Sequence, residues 1–406
     1  MFKSLSLKVI IFGFIFTFFS SFGQSFFLGL FNSSIRDTLS ITQGQFGSIY
    51  ASATLLSSFL LIWVGKKIDD INIFKFAFFV TILLSFSCFF FSKISSVIFL
   101  FLAIFLMRFS GQGMMSHTAT TTISRYFTKS RGKALSTCWF GLSTAEFILP
   151  VLIVYLLTIT TWQNLWISIS ILVIIFLPFI SFVLVKNLDF DSREDIGEEV
   201  SDKKDIKNWT RVEVLKDYRF YIICLNMLAM PWIATGVFVY QSFITESKDW
   251  GSFVIAQSFM VYSILSVVTL LGSGYLIDKF TSRKLLIFMN LPLMFSTLVL
   301  FYFDNPFTSF IFLGLIGISN GLANVLGSST WAEIYGVKYI GSIKALTTAL
   351  MVFSTAFGTA LFGFLIDKEF SIEQITMLSF IYIFISLVLL IFARNKLNPE
   401  YISKTA

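Results

Sequence analysis

Three ionisable side chains, Arg108, His117 and Glu146, stand inside otherwise apolar stretches of this 406-residue chain. A guanidinium offers a planar fork of donors that grips a carboxylate or another oxyanion. A carboxyl and an imidazole can each take up and release a proton. Ionisable groups in hydrocarbon are costly and as a rule face a cavity, a partner or a solute path. The three together hold the parts for anion recognition coupled to proton movement. The competing reading of Arg108 and Glu146 is a permanent ion pair that joins two helices. For His117 it is a hydrogen bond near an inner gate.

The elements that would position them follow from composition. Hydrophobic residues make up 56% of the chain and charged residues 13%, about half the charge of an ordinary soluble domain. The apolar excess needs lipid as its solvent. Six prolines and long uninterrupted apolar runs suit helices rather than the alternating strands of a barrel. Runs long enough to cross roughly 30 Å of hydrocarbon fall at 9–31, 46–64, 74–92, 96–119, 137–160, 165–185, 220–243, 253–276, 285–303, 307–330, 345–366 and 374–393. The first is too long for a signal-peptide core and reads as a retained span. Residues 186–219 form the one long polar stretch, a mixed-charge linker whose end is expected to form a short surface helix.

Twenty-five of the 30 Lys and Arg fall on the two termini, the linker and the loops on the same side; Arg36, Lys93, Lys248 and Lys368 lie opposite, and Arg108 lies within span 4. The positive-inside bias puts both termini in the cytoplasm of an inner-membrane protein. Spans 4 and 5 then run antiparallel, with Arg108 and Glu146 expected at similar depth. His117 falls nine residues further along, ~13 Å nearer the cytoplasm.

The net charge of +7 thus follows topology rather than an acidic partner, and no nucleic-acid partner is expected. Cys88, Cys138 and Cys224 are far apart in apolar runs, so neither a disulfide framework nor a metal site is implied. No nucleotide-binding loop, nucleophile elbow or catalytic carboxylate pair occurs, which argues against an enzyme, an ATP-driven pump or a bound cofactor.

Gly65, Ile68, Asp69, Lys75 and Gly132 recur as Gly274, Ile277, Asp278, Lys284 and Gly341, each 209 positions later. Such an internal repeat is how many transporters build two halves around a central site. The loop Gly274-Tyr-Leu-Ile-Asp278-Lys279-Phe280-Thr-Ser-Arg283-Lys284 resembles the signature of the major facilitator superfamily. The first-half copy has Asp70 where that family carries a basic residue. The resemblance implies an all-α membrane protein of twelve transmembrane helices in two six-helix halves, 1–185 and 220–406, joined by 186–219. It also implies a cytoplasmic gate at Gly65, Asp69, Gly274, Asp278, Arg283 and Arg131, to which Glu333 at the end of span 10 adds a carboxylate.

Within the superfamily, "RYFTKSRGKALS" and "FGSIYASATLLSS" resemble the oxalate/formate and monocarboxylate porter branch, although spans 7 to 9 lack that branch's usual cation. Arg108-Phe-Ser-Gly-Gln112-Gly113 is also similar to an element of proton-coupled drug antiporters, whose proline motif in span 5 is missing. In this fold spans 1, 4, 7 and 10 line the cavity. Gln24, Arg108, Gln112, Trp232, Gln241, Asn320 and Asn324 are therefore the expected substrate-binding residues, with Glu146 and His117 as proton-coupling groups. The expected activity is secondary active transport of a small organic anion by a monomer, in symport or exchange with a proton or counter-substrate. Export of amphipathic compounds is the alternative. A receptor on the same scaffold would need an added soluble domain.

Overall fold

A computed structural model describes residues 4–68, 70–127, 131–186, 207–336 and 338–401, with the backbone alone at 4, 5, 131, 132, 274, 278, 328 and 341. Its regular structure is helical, and twelve helices are long and apolar enough to cross a membrane. They run Ser6–Gly23, Gln43–Ile68, Ile73–Phe91, Val97–Tyr126, Lys133–Leu157, Trp162–Val185, Tyr218–Val239, Ser252–Ile277, Ser282–Tyr302, Thr308–Tyr335, Ser342–Asp367 and Ile372–Lys396, here spans 1 to 12. Many large apolar side chains stay exposed along them, among them Phe392, Phe179, Ile175 and Leu271. That is the outward face of a protein solvated by lipid, where burial brings no hydrophobic gain.

Helix ends are set by local chemistry. Thr42 and Gln45 close a capping box at the start of span 2, and Ser371 and Gln374 close another at span 12. These side chains satisfy N–H groups that would otherwise be orphaned at the helix start. Some hydroxyls buried within spans donate to carbonyls a turn back: Thr118 to Met114 and Thr122 to Thr118. A polar side chain paired inside its own helix costs little in hydrocarbon.

The chain forms two compact units. Unit 1 holds spans 1 to 6 together with Phe238–Phe243 and Thr359–Asp367, the ends of spans 7 and 11 and the residues just beyond. Within it Ser85 of span 3 donates to the Ser170 carbonyl of span 6 at 3.0 Å. Tyr240 donates its hydroxyl toward the Thr359 and Gln43 carbonyls at 2.8 and 3.1 Å, and Asn32 donates to Val239 at 2.7 Å. Unit 2 comprises Glu199–Val237, Ile244–Gly358 and Lys368–Ala406. There spans 8 and 10 pack through glycines: a Cβ on Gly317 would lie 2.3 Å from the Tyr262 carbonyl, and one on Gly321 would lie 2.5 Å from that of Ser266. Small residues at a crossing let two helix backbones approach.

Two departures from regular helix bear on the site, and the linker's end forms the short helix expected of it. The first apolar run is broken: a 3-10 turn at Ser21–Gly23 leads to Gln24, whose backbone is extended (φ −84°, ψ 154°), and helix resumes at Ser25–Leu28 and Asn32–Leu39. Span 4 widens to a π-helical stretch over Arg108–Met115 before returning to α-helix at Ser116–Tyr126. The end of the linker forms the helix Arg211–Lys216, with a capping box of Thr210 and Glu213; residues 187–206 lie outside the described part of the chain.

Candidate functional site

The break in span 1 and the wide turn in span 4 meet. A Cβ on Gly23 would lie 2.3 Å from the Met107 carbonyl and 2.4 Å from the Gln112 nitrogen, so only glycine permits this approach. Both irregularities leave backbone groups outside the regular i to i−4 ladder. Irregular backbone at membrane depth is tolerated where protein or a cavity satisfies it, and π turns concentrate at functional sites.

Arg108 stands at this junction, only 2% exposed. Its Nη1 donates to the Gly23 carbonyl at 3.1 Å and to the Ser25 hydroxyl at 3.3 Å. Its guanidinium carbon lies 5.3 Å from the centre of the Tyr50 ring, a cation–π contact worth ~0.5–2 kcal/mol. Tyr50 also donates to Ser25 Oγ at 3.1 Å. Ser25 thus accepts from Arg108 and Tyr50, and its own proton remains for an acceptor. Arg108 Nε has no hydrogen-bond partner among the described residues.

The competing reading, a permanent ion pair with Glu146, is not what the described residues form. Among the described residues Arg108 meets carbonyl, hydroxyl and aromatic ring but no carboxylate. Glu146 is buried at 8% exposure on span 5, and among those residues it has no ion pair of its own. Sequence depth alone could not foresee this. The carbonyl that takes the place of a carboxylate exists only because span 1 breaks at Gly23.

Two further residues of unit 1 lie nearby in sequence. Gln24 and Gln112 are half-buried, on the break and on the π turn respectively. Gln241 is placed differently: its amide nitrogen donates to the Phe26 and Phe238 carbonyls, both at 2.9 Å. Its amide nitrogen thus ties the chain after span 7 to the break in span 1.

In unit 2, Trp232 packs edge-on to Tyr382 and Phe357, with ring centres 5.3 and 6.1 Å away. Asn320 donates to Ser266 Oγ at 3.0 Å, joining spans 10 and 8, whereas Asn324 is exposed. One turn apart on one helix, the two asparagines therefore meet different surroundings.

His117 is half-buried, its Nε2 3.0 Å from the Gly65 carbonyl at the end of span 2. Next along that loop, the Ile68 carbonyl accepts from Arg125 at 3.0 Å. In unit 2 Glu333 pairs with Arg283 at 3.1 Å and accepts the Ser282 and Arg283 N–H groups at 2.8 and 3.4 Å. Arg283 also reaches Asn398 at 2.6 Å. Asp69 and the side chains of Asp278 and Arg131 lie outside the described residues, and Gly274 is described only as part of its helix.

The model of the Major Facilitator Superfamily matches residues 13–348 and again 221–405. The chain belongs to the major facilitator superfamily. Solved members of the same architecture are similar in fold. A bacterial homologue of the human lysosomal transporter Spinster, in an inward-facing and unoccupied conformation, superposes with TM-score 0.75 at 12% identity, covering 98% of both chains. The nucleoside transporter NupG gives 0.70 at 14% identity, covering 97% of this chain and 99% of that one. None of the curated proteins matches the chain in sequence. The chain is thus a multi-pass membrane transporter of the superfamily, not an enzyme, and its substrate is a small molecule.

Sequence reasoning missed Gly23, Ser25, Tyr50 and Gly111. The signal was present as "SSFGQS", a run of small and polar residues in the middle of an apolar stretch.

Proposed function

We propose that the chain carries a small organic anion, such as a carboxylate, by alternating access with proton coupling or exchange. One observation carries the reading: Arg108 is buried without a carboxylate partner among the described residues. A guanidinium at mid-bilayer costs at least ~2.5 kcal/mol. Carbonyl, hydroxyl and ring contacts stabilise it but leave its positive charge uncancelled. An anionic substrate at Ser25 and Arg108 cancels it, with the Ser25 hydroxyl donating to the same anion. Gln24 and Gln112 in unit 1, and Trp232, Asn320 and Asn324 in unit 2, are the further candidate substrate contacts. Glu146, buried and without an ion pair among the described residues, is the proton-carrying group, and His117 relays toward the cytoplasm. Arg283 and Glu333, with Asp69, Arg131 and Asp278, form the cytoplasmic gate.

The protein works as a monomer in the plasma (inner) membrane. Both termini and the 186–219 linker are cytoplasmic, and the halves are 1–185 and 220–406. The Arg131-Gly132-Lys133-Ala134 element supports a place near the oxalate/formate and monocarboxylate porters.

The test is uptake of labelled monocarboxylates and dicarboxylates into proteoliposomes, with and without a pH gradient. Wild type should accumulate at least one of them. Arg108→Lys should insert and fold but lose uptake, because lysine cannot reproduce the planar fork. Equal uptake by Arg108→Lys would return Arg108 to a structural role. Glu146→Gln should abolish the response to the pH gradient. Transport of drug-like or amphipathic compounds in place of carboxylates would favour the exporter reading, which the Arg108–Gln112–Gly113 element supports.

A further inference from the structure

A second polar site lies wholly within unit 2, where the helix Arg211–Lys216 meets the start of span 7 and the end of span 12. It is a cleft of about 450 Å³ whose lining includes Lys207, Trp209, Lys216, Tyr218, Arg219 and Lys396. Part of its charge is already committed. Arg219 is held by Asp217 at 2.7 Å, by the Asn398 carbonyl at 3.0 Å and by Glu400 at 3.4 Å. Lys207 pairs with Glu400 at 3.1 Å and lies over the Trp209 ring at 4.2 Å. These contacts build the walls. Lys216 and Lys396 are different: both are exposed, and among the described residues neither makes an ion pair. Two uncommitted ammonium groups therefore line one cleft.

Its place along the bilayer decides what kind of anion fits. Tyr218 is the first residue of span 7 and Lys396 the last of span 12, so the cleft sits at the edge of the hydrocarbon. Beside it Val212 is 63% exposed, Tyr218 52% and Tyr221 56%. The helix Arg211–Lys216 shows apolar residues at this level and ends in a lysine, the pattern that suits a segment at the membrane interface. Tyrosines are the side chains expected at that depth.

We propose that this cleft binds the phosphate head group of an anionic phospholipid, with Lys216 and Lys396 on the phosphate and the acyl chains against Val212, Tyr218 and Tyr221. A free phosphate ester shares the head-group chemistry but would gain nothing from the apolar rim. The site is separate from the Arg108 junction, so the two proposals stand or fall independently.

The test is native mass spectrometry of the full chain in detergent, titrated with phosphatidylglycerol, phosphatidylcholine or soluble glycerol 1-phosphate. Each lysine near an anionic head group contributes about a fivefold gain in affinity, so Lys216→Gln with Lys396→Gln should weaken phosphatidylglycerol binding on the order of 20- to 30-fold. Lys338→Gln, an exposed lysine outside the cleft, should leave it unchanged. Phosphatidylcholine should bind weakly and equally to all three proteins. Phosphatidylglycerol binding unaffected by the double substitution would overturn the proposal. So would glycerol 1-phosphate binding as tightly as the lipid, because it would make the site one for a soluble ester. Should the double variant fail to purify, photo-crosslinking of phosphatidylglycerol to wild type decides: label in the peptides around 212–221 and 396 supports the site, and label elsewhere alone refutes it.

Discussion

The backbones of Gly23 and Gly111 touch: a Cβ on Gly111 would lie 2.7 Å from the Gly23 nitrogen and 2.9 Å from its Cα. Gly23 is the last residue of the 3-10 turn in span 1, and Gly111 lies inside the π-helical stretch of span 4. Arg108, one turn before Gly111, reaches the Gly23 carbonyl across the same contact. The glycine pair therefore sets how far the guanidinium sits from the break.

Gly111→Ala should push the two spans apart, costing roughly 1–3 kcal/mol of stability as overpacking does, and should impair transport beyond that loss. Gly272→Ala is the matched control, since nothing lies within 4 Å of a Cβ there. Thermal unfolding and proteoliposome uptake on both variants decide it. Equal behaviour of the two would mean that the glycine contact does not position Arg108.

Glu333 gathers the Arg283 guanidinium and two backbone N–H groups onto one carboxylate. If this cluster serves as a gate, Glu333→Gln should slow transport while equilibrium binding of the carboxylate substrate stays within a few-fold. Substrate-induced thermal stabilisation, measured beside the initial rate of uptake, separates the two effects. A large loss of binding with intact protein would contradict the gate.

Lys248 has its Nζ 2.5 Å from Asp304 and 2.8 Å from Glu373, and its side chain is almost wholly buried. Burial by itself would lower the pKa of the ammonium, but hydrogen bonds and charge from the two carboxylates outweigh it and raise the pKa above the ordinary lysine value. A folded-state pKa above the unfolded one adds stability in full below about pH 10.4, and that stability is lost as pH rises through the folded value. Lys248→Gln should therefore be less stable than wild type at neutral pH by roughly 1–2 kcal/mol. The difference should shrink as pH is raised above about 10.4. Melting curves at a series of alkaline pH values test this, and a gap independent of pH would show that the ion pair adds nothing.

Topology can be read with cysteine labelling, because Cys88, Cys138 and Cys224 are all buried and give little background. Gly251→Cys, where a side chain would project into open space, should react with an impermeant reagent from outside intact cells. Gly197→Cys in the linker should react only after permeabilisation. The reverse pattern would invert the assigned orientation.

Hydropathy and the loop motif are local properties of the chain. Twelve spans, the helical class and membership of the superfamily were accordingly legible from the residues alone. Span count follows from run length against bilayer thickness, and no tertiary contact can alter it. Arg108 could likewise be singled out, because a charge in an apolar run is conspicuous whatever surrounds it. Its partners could not. Equal depth on neighbouring spans suggested Glu146, yet depth leaves the rotation of each helix undetermined. A π turn shifts the faces of the residues around it, and a break in span 1 supplies a carbonyl where a carboxylate was expected. The contacts of Gln241 were hidden for the same reason, since its acceptors at Phe26 and Phe238 are backbone carbonyls beside helix breaks. Backbone carbonyls are the same in every residue type, so their availability is decided by packing and cannot be read from side chains in order.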